Sequence, residues 1–216
     1  MEQANPKPTQ RIAWIVWPAL ILTVLAIGVF FVRSQIEQGQ LPDLRPIAQV
    51  PEFTLTNQEG HAVSLADLQG NVWVADVILT RCAGPCPRMT QRMSELQTIL
   101  PEHSSVKLVT LTTDPVFDRP DVLKRYSERF KANTQRWMFL TGSKQEITRV
   151  VVDGLKLAAM EKEPEKRGTP QDLFIHSELM VFVDKQGRLR GSVESDDPKM
   201  QSKVLAAVKQ LLREKK

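Results

Sequence analysis

The chain has 216 residues, 42% hydrophobic and 25% charged, with a net charge of +4. This length and balance suit one domain with a real core and exclude a disordered or fibrous chain. The lysines and arginines are interleaved with acids and form no stripe alternating with aromatics, so the charge reads as a solvated basic surface and no nucleic acid is expected as a partner.

Residues 12–32 carry no charged side chain, and their length matches a helix crossing a hydrocarbon layer roughly 30 Å thick. Trp14 and Trp17 stand near one end, as an interfacial belt would place them, and Pro18 falls in the first turns. The stretch FVRSQIEQGQ that closes the run offers no small-x-small cleavage site. We therefore expect an uncleaved transmembrane anchor at 12–32 and a short cytoplasmic tail at 1–11. Residues 33–50 are polar, contain two prolines and read as a spacer. The folded domain is expected over 51–214.

That domain begins with EFTLTNQEGHAVSLADLQG, two short strands joined by a turn at Glu59-Gly60. NVWVADVILT is a nearly continuous apolar run, as in a strand buried on both faces. After Cys82 and Cys86 the period changes: Met89, Met93, Leu96 and Leu100 predict a helix that Pro101 ends. VKLVTLTT reads as another buried strand. Asp118 is expected to cap a helix with Pro120 in its first turn. WMFLTG is a short strand, and Ser143 with Glu146 predicts a capping box before ITRVVVDGL. The charged stretch 161–172 reads as a loop, LFIHSELMVFVD as one strand, and Lys185 to Gly187 as a hairpin turn. Asp197 is expected to cap a last amphipathic helix, with Pro198 at its first position. Strands alternating with helices give an α/β sandwich about a central sheet.

LTRCAGPCPRM holds both cysteines of the chain. A disulfide closing so small a loop removes little chain entropy, so chemistry explains the pair better than stapling. They sit where a strand ends and a helix begins, beside Arg81. Unpaired amides and the helix dipole favour thiolate there, which predicts a pKa below the free value of about 8.5. A thiolate serves disulfide exchange and soft-metal binding alike. At i and i+4 the two sulfurs project on one face, where they can share one ion or close a disulfide. His61 and His103 read as exposed and neutral, and Met89 and Met93 as core.

LTRCAGPCPRMTQRM, TTDPVFDRPDVLKRY and FIHSELMVFVDKQG together resemble the Sco family, also called SenC or PrrC. These are membrane-anchored thioredoxin-fold proteins that bind copper and help assemble the copper A centre of cytochrome c oxidase. The C-x-x-x-C-P motif matches at Cys82, Cys86 and Pro87, the aspartate-proline segment at Asp114-Pro115, and the distal histidine at His176, before Asp184 and Gly187. The resemblance implies a thioredoxin-like three-layer α/β/α sandwich with an N-terminal β-hairpin, preceded by one transmembrane helix. It implies one copper ion on Cys82, Cys86 and His176. The implied partner is an apo cytochrome c oxidase subunit or another copper protein. The implied location is the inner membrane, single-pass, with the soluble domain on the periplasmic side. Ala83 and Gly84 depart from the C-P-D-x-C-P of many members. G-P-C and Asp76, six residues before Cys82, echo thioredoxin, where such a carboxylate accepts a proton. The alternative function is therefore a thiol–disulfide oxidoreductase with Cys82 and Cys86 as its redox pair. A peroxidase is disfavoured because Thr80 stands only two residues before Cys82.

Overall fold

The computed structural model describes residues 17–30, 44–101, 105–157, 159–161, 174–176 and 178–214. It divides into an N-terminal unit, 1–41, and a larger unit, 42–216. In the first, the described residues form one helix, α1 (residues 17–30), whose apolar side chains from Trp17 to Phe30 are exposed. Among the described residues no helix is long and apolar enough to cross a membrane. The rest of the expected span, 12–16 and 31–32, lies outside the described residues.

The larger unit starts earlier than the spacer reading suggests. Leu44 and Val50 are buried, and β1 (Ala48–Gln49) pairs with β10 (Arg188–Glu194). The β-hairpin follows as β2 (Thr54–Asn57) and β3 (Ala62–Ser64). Its turn needs Gly60 at φ 82°, and Asn57 Oδ1 accepts from the amides of Glu59 and His61. After the short α2 (Leu65–Leu68), β4 (Val72–Ile78) runs through the centre with every residue buried. It pairs in parallel with β5 (Val106–Thr112), which pairs in parallel with β6 (Trp137–Thr141). β9 (Leu179–Val183) lies antiparallel on the other side of β4. The sheet order is β1-β10-β9-β4-β5-β6-β2-β3.

Strand alternation divides the core in two. Val72, Val74 and Ile78 face a cluster that includes Met93, Leu96, Leu123, Tyr126, Val204 and Leu211. These come from α3 (Cys86–Ile99), α4 (Pro120–Arg129) and α6 (Met200–Arg213). Trp73, Ala75 and Val77 face the opposite cluster, with Leu65 and Leu68 from α2 and Ile147 from α5 (Lys144–Thr148). Val150 and Val151 join it from the π-helical turn Arg149–Gly154. Each fully buried aliphatic side chain adds on the order of 2 kcal/mol. This is the expected layered α/β sandwich.

Four local expectations change. Arg119, not Asp118, precedes α4 at the capping position. Ser143 accepts from the Glu146 amide, but Glu146 Oε1 accepts from the Thr54 amide instead of closing the capping box. Asp197 stands two residues before Lys199, the residue that precedes α6, and accepts from the Lys199 amide at 2.7 Å. The expected single strand over LFIHSELMVFVD is two. β8 (Phe174–His176) pairs with β7 (Ala159–Glu161) in a separate ribbon, while β9 joins the main sheet.

Candidate functional site

The cysteines lie where the central parallel strand hands over to α3. The chain leaves β4 at Ile78, folds back so that the Cys82 amide donates to the Leu79 carbonyl at 3.2 Å, and enters α3 at Cys86. Prolines fix this entry: Pro85 precedes the helix and Pro87 occupies its first turn, where a missing N–H costs nothing. No disulfide joins the two cysteines, and both are thiols. Cys82 is half-buried and Cys86 fully buried.

The two sulfurs are in contact. The Cys86 thiol donates to the Cys82 sulfur, which also receives the Gly84 amide at 3.3 Å. Sharing its proton with Cys82 holds the Cys86 pKa far above the ordinary thiol range, and burial pushes the same way. The expected depression by the helix terminus is therefore overturned at Cys86. There the neighbouring sulfur and desolvation outweigh the helix dipole. The pair divides its labour: an accessible sulfur that collects donors, and a buried thiol that keeps its proton.

Asp76 shares the β4 face of Val74 and Ile78, the face toward α3. It is fully buried. Thr110, its partner across β5, donates to Oδ1 at 2.6 Å, and the Trp137 indole donates to that hydroxyl at 2.9 Å. Oδ2 has no hydrogen-bond partner. Desolvation raises the Asp76 pKa to about 7, against the pull of Thr110. The Asp76 charge in turn acts on Cys86 and on Tyr126, whose hydroxyl meets Thr90 Oγ1 at 2.9 Å. Burial pushes the Tyr126 pKa up as well.

A second group of side chains grips the start of the thiol loop. Arg81 donates through Nε and its terminal nitrogen to Asp114 at 2.7 and 2.6 Å, and its guanidinium lies 4.9 Å from the Phe117 ring centroid. Asp118 is buried and accepts from the Thr80 amide at 3.0 Å, the Thr80 hydroxyl at 2.5 Å and the Thr112 hydroxyl at 2.5 Å. Burial raises its pKa despite these donors. The sequence flagged Asp114 only as part of an aspartate-proline segment and Asp118 only as a helix start. Their distance along the chain from Thr80 and Arg81 hid the contact.

Of the three expected ligands, the structure brings Cys82 and Cys86 together. The His176 backbone lies in β8, opposite Ala159, and its imidazole lies outside the described residues. Among the described residues no group of three His, Cys, Asp or Glu side chains converges as a metal site would. His61 is exposed in the hairpin turn, Met89 and Met93 are core, and His103 lies outside the described residues.

A central parallel strand ending in a paired-thiol loop at a helix start defines a thioredoxin-like dithiol protein. Known proteins narrow that class. The SCO1/SenC family model matches residues 43–213, and the chain belongs to this family. It is 36% identical over 143 residues to the SCO1 protein homolog of Bacillus subtilis, covering 65% of this chain and 71% of the relative. Among solved structures it resembles BsSco, a member of the Sco family of cytochrome c oxidase assembly proteins in which a disulfide switch was identified. There the TM-score is 0.69 at 30% identity, over 82% of this chain and 99% of that one. Copper-bound ScoI of Bradyrhizobium japonicum shares the fold, with a TM-score of 0.63 at 24% identity, over 76% of this chain and 99% of that one.

Proposed function

We propose that this protein binds copper through Cys82, Cys86 and His176 and delivers it to an apo cytochrome c oxidase subunit during assembly. The observation that carries the reading is the sulfur pair itself. Two thiols in mutual contact, one half-exposed, suit a soft ion such as Cu(I), which prefers sulfur with few ligands. An imidazole from His176 completes a three-coordinate set. Copper-bound ScoI and the oxidase-assembly role of BsSco support copper and the oxidase target. Residues 12–32, uncharged and apolar, anchor the protein in the inner membrane with the thiol domain on the periplasmic side.

The experiment is a Cu(I) titration of the reduced protein against a competing chelator, as wild type, Cys82→Ser and His176→Ala. Both variants should lose at least about tenfold in affinity, the scale of one lost ligand or its orienting partner. Unchanged affinity in His176→Ala removes the histidine from the site.

A second reading has its own observation. The buried Asp76 carboxyl with one unpartnered oxygen, on the sheet face toward Cys86, suits a base that takes up a thiol proton. That favours a thiol–disulfide oxidoreductase keeping target cysteines reduced. Catalytic reduction of a protein disulfide, retained in His176→Ala and lost in Cys82→Ser, would support it.

A further inference from the structure

We infer that Asp118 is a positioning residue for the Cys82–Cys86 pair, holding the thiol loop in the pose that keeps the two sulfurs together. The segment between β5 and α4 is stitched to the end of β4, with the Thr113 amide donating to the Ile78 carbonyl at 2.9 Å. It then turns back on itself, the amides of Phe117 and Asp118 donating to the Asp114 carbonyl. This turn aims the Asp118 carboxylate at the start of the thiol loop rather than at α4. A helix cap would spend its oxygens on the first amides of α4. Asp118 instead gives Oδ1 to the Thr80 hydroxyl and Oδ2 to the Thr80 amide and the Thr112 hydroxyl.

Three donors converge on two oxygens, and only a carboxylate accepts them all. An amide would turn a donor toward hydroxyls that are already donating. Thr80 lies two residues before Cys82, so its pose sets where Cys82 leaves the strand. Arg81 is held from the same segment by Asp114 and Phe117, which leaves Cys82 next to two anchored residues. Cys86 is fixed independently by α3. The separation of the sulfurs therefore depends on the Thr80–Asp118 contact, through effective concentration.

This inference rests on Cys82 and Cys86 acting as a pair and is indifferent to whether their cargo is copper or electrons. The test is the equilibrium of the copper-free full chain with glutathione. Oxidation forms the Cys82–Cys86 bond and breaks the glutathione disulfide, whose sulfurs take the two electrons and two protons given up by the thiols. The oxidised fraction is counted by mass after alkylation, for wild type, Asp118→Asn, Thr80→Val and Thr80→Ser. Thr80→Ser keeps the hydroxyl and should match wild type. Thr80→Val and Asp118→Asn should each lower the equilibrium constant about tenfold, a shift of about 30 mV toward a more oxidising pair. The double variant should add little to either. Cu(I) affinity should fall alongside. If Thr80→Val and Asp118→Asn lower the melting temperature but leave the equilibrium constant and Cu(I) affinity within twofold, Asp118 is structural only and the inference fails. Should Asp118→Asn not fold, Thr80→Val decides alone. A wild type that forms neither disulfide nor Cu(I) complex overturns the proposed function instead.

Discussion

Replacing Asp76 with Asn should stabilise the reduced, metal-free protein at pH 8.5, and do so much less at pH 5. Asp76 is fully buried, accepts from the Thr110 hydroxyl at Oδ1 with Oδ2 left without a partner, and carries a pKa of about 7 in place of 3.8. Because the folded value is raised, the native state holds the proton between about pH 4 and 7 while the unfolded chain has lost it. Stability from this group is complete below the unfolded pKa and falls as pH rises toward 7. A gap of roughly three units at 1.36 kcal/mol each amounts to about 4 kcal/mol lost by pH 8. Asn keeps the acceptor for Thr110 and never ionises, so it avoids this loss. Burial also raises Asp118, whereas the hydrogen bonds of Asp184 lower its pKa, so the wild-type profile mixes signs. The difference between variant and wild type isolates Asp76. Urea unfolding followed by the buried Trp73 and Trp137 at both pH values measures it. A variant advantage of about 4 kcal/mol at pH 8.5, falling to about 1–2 kcal/mol at pH 5, is expected. A variant equally destabilised at both would mean that folded Asp76 is ionised throughout, and the desolvation argument would fail.

Brief alkylation of the reduced protein at pH 8 should modify Cys82 and spare Cys86, because Cys86 is buried and holds its proton; peptide mass mapping reads this, and equal labelling would refute the division of labour. Arg81→Ala removes a half-exposed ion pair with Asp114 and the contact with Phe117, and should cost about 1 kcal/mol in urea unfolding. Arg190→Ala should cost about 3–5 kcal/mol in the same assay, since it strips a buried guanidinium from Asp184, Glu214 and the Leu44 carbonyl. Gly187→Ala forces a side chain onto a residue at φ 75° and should cost about 1 kcal/mol.

Where the argument was periodic, the sequence predicted the structure closely. The apolar run before the cysteines became β4, buried at every position, because only a strand covered on both faces tolerates that composition. Met89, Met93 and Leu96 marked the inner face of α3 by spacing alone. The adjacency of Cys82 and Cys86 was equally readable, since four residues along the chain hold them within reach. What escaped was everything set by contacts between distant segments. Asp118 carries a helix-start signal, yet its oxygens go to Thr80, 38 residues earlier. The Cys86 pKa was expected to fall because the helix dipole is a local, sequence-visible term. It rises because a neighbouring sulfur and full burial are tertiary terms of larger size. The same distinction explains Asp76. Its position before the cysteines suggested a carboxylate of interest, but the orphaned oxygen that gives it chemical potential exists only once β4, β5 and α3 have closed around it. Reactivity at this site is therefore a property of the packed sheet face as much as of the C-x-x-x-C motif, and transplanting CAGPC alone onto another strand–helix junction should not reproduce it.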